Sequence, residues 1–167
     1  TKPILDFTVF KPTAIACTRI LKKVSSNEPL DHKEKILFDK SLERFDKICF
    51  LAYKKNVKVL VDAEESWIQK AIDQIVLKMM IKFNKDKVVV FNTSQMYRHD
   101  RLDYLKSLYK AAKENNFHVG IKLVRGAYME KENKRAKKNN YLSPICKSKE
   151  LTDDNYNHGV SFILSNL

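Results

Sequence analysis

The stretch GIKLVRGAYMEKE, Gly120 to Glu132, sets Lys122, Arg125, Gly126, Ala127 and Tyr128 where an apolar, β-like run hands over to a charged helix opening. A strand end that only had to turn needs one glycine and a few solvated polar residues. Two cations, two small residues and a tyrosine make a different surface. Gly126 and Ala127 remove side-chain bulk, so a large flat ligand can lie against the backbone. Lys122 and Arg125 supply fixed positive charge, which suits a ligand that carries phosphates or gains negative charge during reaction. Tyr128 adds an aromatic face and a hydroxyl. The chemistry indicated is the binding of an anionic, planar cofactor.

Other segments carry reactive groups at comparable places. VDAEES offers Asp62 and Glu64 as a carboxylate pair suited to acid–base work, or alternatively acids in the first turn of a following helix. Asp62 fits the first role and Glu65 the helix start, while Glu64 stays open between them. Trp67 reads as core or helix packing rather than a cofactor stack, Met79 and Met80 as core filling, and His99-Asp100 as a helix entry. No HExxH or Cys/His cluster points to a metal. No GxSxG is present, and Cys146 has no evident base partner, so nucleophilic hydrolysis is poorly supported.

The elements that must position these groups follow from periodicity. VKVLVDAEE from Val57, KVVVFNTSQMY from Lys87 and HVGIKLVRGAY from His118 read as strands covered on both faces, and DFTVFKPTA from Asp6 as a fourth. Helical stripes lie between them. Leu42, Phe45, Ile48, Cys49 and Ala52 share a face before the Val57 strand, and Trp67 to Met80 form a wide apolar stripe after it. Leu102, Leu105, Leu108, Tyr109 and Ala112 form the next, which Asn115-Asn116 is suited to end. Strand starts at Val57, Val88 and His118 fall 31 and 30 residues apart. That period fits a (β/α)8 barrel of about 250 residues, of which roughly four βα units are present. A doubly wound dinucleotide fold would need GxGxxG, and the three glycines, Gly120, Gly126 and Gly159, are not so arranged. Lys11, then Asp62 and Glu64, then Asn92 and Gln95, then Lys122 and Arg125 sit at successive C-terminal strand ends. In a barrel these ends ring one mouth.

Composition sets the outer bounds. With 44% hydrophobic and 31% charged residues, the 167-residue chain can form one ordinary core. It starts at Thr1 and ends just after the apolar stretch Val160–Leu164, which reads as an excerpt of a longer polypeptide. No apolar run approaches the roughly 18–20 residues that a membrane span needs, and the stretch from Thr1 does not resemble a secretory signal. Cys17, Cys49 and Cys146 lack CxxC spacing and suggest a reducing compartment without disulfides. The formal charge of +12 is spread over single and paired lysines on helix faces, without a nucleic-acid-binding motif. No nucleic-acid partner is expected.

VDAEE, FNTSQMYRHDRLDYLK and above all GIKLVRGAYMEKE, followed by RA and YLSPI, resemble proline dehydrogenase, the FAD-dependent enzyme of proline catabolism. The likeness is strongest from Val57 to Tyr156, takes in FKPTAI near the start, and is closest to the monofunctional type, since Lys122 stands where bifunctional enzymes usually carry arginine. It implies a distorted (β/α)8 barrel with FAD on the C-terminal face, and oxidation of L-proline to Δ1-pyrroline-5-carboxylate by hydride transfer to the flavin. A membrane quinone is then the electron acceptor. The implied setting is cytoplasmic with peripheral contact at the inner membrane, or mitochondrial in a eukaryote. Lys11 matches a lysine that holds the proline carboxylate, Asp62 an active-site aspartate and Tyr128 a site-lining tyrosine. Gln95 and Lys122 match flavin-contacting positions, and Val124, Gly126 and Ala127 the backbone beside the flavin.

Two departures stand out. Ser94 replaces the tyrosine common in NTYQ, which predicts altered cofactor packing, and Leu142 replaces the proline of YPSPI in a loop. The family's later strands and its final helix, with paired arginines for the proline carboxylate, are expected beyond Leu167. Residues 1–167 then form the N-terminal half of the barrel domain, weakly active or inactive alone. Rival readings are a related flavin barrel with another substrate, such as a folate-reducing enzyme, and a non-catalytic fragment acting as a binding module.

Overall fold

The computed structural model describes residues 6–166; residues 1–5, on which the expectation about a secretory signal falls, and Leu167 lie outside them. Four strands, β1 (Phe7–Phe10), β2 (Lys58–Val61), β3 (Val90–Gln95) and β4 (Ile121–Val124), pair in parallel in the order β1-β2-β3-β4. Phe7 pairs with Lys58, Val59 with Val90 and Asn92 with Ile121. Each new strand adds to the same edge, whereas a doubly wound sheet reverses direction at a switch point. This is the progression of a (β/α)8 barrel, carried through its first four strands.

The helices are α1 (Thr18–Ser25), α2 (His32–Lys55), α3 (Ser66–Phe83), α4 (Arg101–Asn115), α5 (Met129–Lys138) and α6 (Lys149–Asn166). The expected stripes are the buried ones. Ile68, Ile72, Ile75, Val76, Met79 and Met80 of α3 pack with Val59, Val61 and Val90 of the sheet, and Phe45 and Cys49 of α2 with Leu21 of α1 extend the same core. Fully burying one such aliphatic side chain contributes about 1.5–3 kcal/mol.

Local chemistry sets the helix ends. Asp31 and Glu34 form a reciprocal capping box at the start of α2. Glu34, almost fully buried, also holds Arg19 and Lys23 and so ties α1 to α2. Asn56 and Asn116 end α2 and α4 in the left-handed conformation, with φ of 54° and 50°. At the base of the sheet Gly120 has no room for a side chain: a Cβ there would stand 2.4 Å from the carbonyl oxygen of Val90.

Strands β2, β3 and β4 are shorter than the apolar runs suggest, because each run continues past its last paired residue. Residues 62–65, 96–97 and 125–128 are therefore loop at the C-terminal end of the sheet, where the candidate site lies.

Candidate active site

Beyond the C-terminal ends of the strands lies a cavity of about 200 Å³ lined by Lys11, Asp62, Ala63, Thr93, Gln95, Tyr97, Lys122, Val124, Gly126, Ala127 and Tyr128. Residues from all four strand ends converge there. Strand pleating explains which ones: Thr93 and Gln95 alternate along β3, with Tyr97 two residues beyond its end, and Lys122 and Val124 alternate along β4, so each set faces the same side.

Two cations anchor the cavity. Lys122 Nζ donates to Asp62 Oδ1 at 2.5 Å, with the lysine side chain 34% and the aspartate 29% exposed. Lys11 Nζ donates to the Tyr128 hydroxyl at 2.9 Å. That hydrogen bond holds the Lys11 pKa above the usual lysine value, with smaller support from the Glu64 and Asp62 carboxylates. Below them, Gln95 Nε2 donates to the Glu64 carbonyl at 2.7 Å and to the Tyr97 hydroxyl at 2.8 Å. Burial pushes the Tyr97 phenol up to about 12, so it stays protonated.

Glu64 resolves as a brace. Its buried carboxylate accepts from Thr13 N at 2.9 Å and Thr13 Oγ1 at 2.7 Å, which fixes the turn holding Lys11 against the end of β2. Its own N–H donates to Gln69 Oε1 at 2.8 Å. Glu65 is the N-cap residue of α3, as its position suggests.

Arg125 does not join the cavity. Its guanidinium donates to Asp153 of α6 at 3.1 Å and stacks over Tyr156, 4.9 Å from the ring centre. Three residues beyond Lys122, it follows Leu123 toward the helices, as period-2 alternation requires. Ser94 likewise faces the helix layer: it is fully buried and its hydroxyl approaches Met96 Sδ at 3.5 Å. Its exchange for tyrosine therefore concerns packing behind the sheet rather than the wall of the cavity. Trp67 lies beneath α5, under the guanidinium of Arg135 at 4.3 Å and the ammonium of Lys131 at 5.7 Å.

Sequence reasoning passed over Thr93 and Tyr97, both two residues from Gln95 and hence on its face. It also passed over Glu132, which reads as one more solvated helix charge yet is 1% exposed.

For a flat anionic cofactor the wall is suitable. Gly126 and Ala127 are exposed, and a Cβ added to Gly126 would meet only Met129 Sδ, at 3.6 Å. The backbone there is open to a planar ring, with the Lys122 ammonium beside it.

Fold and cavity together fit the first four strands of a (β/α)8 barrel, with a candidate ligand site at the C-terminal strand ends. The sequence matches the proline dehydrogenase family over residues 8–167, and the chain belongs to that family of flavin-dependent enzymes. Proline dehydrogenase 1, mitochondrial, of Drosophila melanogaster is 41% identical over 129 residues, covering 77% of this chain and 19% of that protein. The carbapenem antibiotics biosynthesis protein CarD of Pectobacterium carotovorum subsp. carotovorum is 36% identical over 159 residues, covering 95% of this chain and 41% of that protein. The chain thus spans less than half the length of either relative. The crystal structure of proline utilization A (PutA) from Bdellovibrio bacteriovorus inactivated by N-propargylglycine superposes with a TM-score of 0.81 over 95% of this chain and 16% of that one, at 22% identity. At that identity the likeness speaks for the fold.

Proposed function

We propose that the protein containing this chain oxidises L-proline to Δ1-pyrroline-5-carboxylate with FAD, the first step of proline catabolism. The observation that carries this reading is the convergence of Lys11, Asp62, Lys122 and Tyr128 on one cavity beside an open Gly126-Ala127 backbone. FAD, when bound, supplies the two-electron acceptor for the hydride leaving a ring carbon. Gln95, Lys122, Val124, Gly126 and Ala127 would hold it, with Lys122 placed to offset the negative charge it would gain. Asp62 keeps the Lys122 ammonium in place by their hydrogen bond. Lys11 has donors left over from Tyr128 and binds the proline carboxylate, while Tyr128 lines the substrate space. The remaining carboxylate contacts come from outside this chain. A membrane quinone is the proposed electron acceptor, reached by peripheral contact; among the described residues no helix is long and apolar enough to cross a membrane. The mitochondrial names of animal and plant relatives support that compartment for a eukaryotic source.

The test is the visible spectrum of the full-length protein before and after anaerobic addition of L-proline. A flavin band that bleaches is the expected result, and Lys11→Ala then raises KM for proline about 10- to 100-fold, the worth of one charge-assisted hydrogen bond. A flavin band indifferent to proline would favour a second reading, the same chemistry on another substrate, for which the relative named for carbapenem biosynthesis speaks. No flavin band even with added FAD would leave the non-catalytic binding module.

A further inference from the structure

Helix α3 begins without a local cap: Glu65 is its N-cap residue, yet no side chain there bonds the first turn. The missing partner comes from α5, 66 residues further on. Glu132 Oε1 accepts from the Ser66 N–H and Oε2 from the Ser66 hydroxyl, both at 2.6 Å, with Glu132 almost completely buried. A carboxylate at this end of α3 is also favoured by the helix dipole.

The same bonds matter more to α5 than to α3. The α5 sequence MEKENKRAKK buries only Glu132 and Ala136, so this helix has almost no apolar face to hold it against the domain. Its other ties are polar and more exposed: Lys131 to Glu65, and Arg135 over Trp67. Yet α5 opens at Tyr128, whose carbonyl accepts the N–H of Glu132 at 2.9 Å. The Tyr128 hydroxyl meets Lys11, and Gly126-Ala127 immediately precede it. The Gly126, Ala127 and Tyr128 part of the cavity wall therefore runs directly into the start of α5.

We propose that Glu132 is a positioning residue: its paired bonds to Ser66 dock α5 on α3 and thereby hold Gly126, Ala127 and Tyr128 in the geometry that binds flavin and substrate. This rests on the flavoenzyme reading above. In a site where ligand and wall lie side by side, a displacement of about 1 Å can cost on the order of 100-fold in rate. Two short bonds made by one buried carboxylate are enough to set such a displacement.

The experiment uses the full-length protein with Ser66→Ala, Glu132→Gln, Glu132→Ala and the double variant Ser66→Ala/Glu132→Gln. Flavin affinity is measured by titration with FAD, and backbone hydrogen exchange is followed by mass spectrometry. Expected are a few-fold weakening of flavin binding in Ser66→Ala and about tenfold or more in Glu132→Gln, as for one charge-assisted hydrogen bond. The double variant is no worse than Glu132→Gln alone, because both remove the same contact. Exchange quickens over residues 125–133 and stays as in the wild type over β3. With proline as substrate, KM rises more than kcat falls. Glu132→Ala with flavin affinity and exchange within twofold of the wild type would overturn the proposal, and so would exchange that quickens evenly across the domain. Should the wild-type protein neither bind flavin nor oxidise proline, the functional reading falls, and the exchange pattern alone decides the role of Glu132.

Discussion

At the scale of single residues, the pair Lys11–Tyr128 makes the sharpest claim. The Lys11 pKa is raised chiefly by its hydrogen bond to the Tyr128 hydroxyl. A raised value means the ammonium, and with it the grip on a carboxylate, is intact at lower pH and lost only as pH climbs through that value. Tyr128→Phe removes the largest stabilising contribution, so the alkaline fall of kcat/KM for proline should begin at lower pH than in the wild type. Superimposable alkaline limbs, measured in parallel on the full-length proteins, would reject Tyr128 as the tuning partner. Much of this geometry was legible in the sequence, since Lys11, Asp62, Gln95, Lys122, Val124, Gly126, Ala127 and Tyr128 all line one cavity. Arg125 is placed differently from Lys122: three residues on along an extended chain, it belongs to the opposite face and pairs with Asp153. Glu132 was illegible in the sequence. Its burial depends on Ser66, a neighbour that only the fold supplies.

Secondary-structure elements show where local rules suffice. The described residues with positive φ are Asn27, Asn56, Asn116 and Asn140, all asparagines that follow helices. A chain with three glycines uses asparagine for its left-handed turns. Asn116→Ala should therefore destabilise the full-length protein by about 1 kcal/mol, because alanine lacks the short polar side chain whose local hydrogen bonding lets asparagine tolerate that conformation, whereas Asn116→Gly should be nearly neutral. Thermal unfolding of the two variants checks the ranking, and equal losses would contradict it. The 30-residue period was readable because buried strands and one-faced helices alternate so regularly. Strand ends were not, since an apolar run does not reveal where its ladder bonds stop. Helix α1 carries too few apolar residues to announce itself. Helix α6 holds Gly159 in its middle, a poor helix former, where an added Cβ would stand 2.8 Å from the Met96 methyl and 3.3 Å from Leu123 Cδ1.

For the molecule as a whole, the sheet is four strands of a closed design. Strands β1 and β4 are its edges among the described residues, and on β1 Phe7 and Val9 are 43% and 56% exposed. Unpaired parallel edges with apolar side chains are templates for further pairing. Expressed alone, these 167 residues should self-associate and show little proline oxidation. Light scattering on the isolated chain, and on the same chain coexpressed with the rest of the protein, checks this; a stable, active monomer of the isolated chain would refute it. A different consequence follows from the place of Trp67, the one tryptophan of the chain, beneath Arg135 and Lys131. An indole is a fluorophore whose emission responds to charge and water at its ring face. With two cations of α5 resting over it, Trp67 is an optical gauge: its emission should shift when that helix lifts, giving a colour signal for the state of a wall that holds no tryptophan of its own.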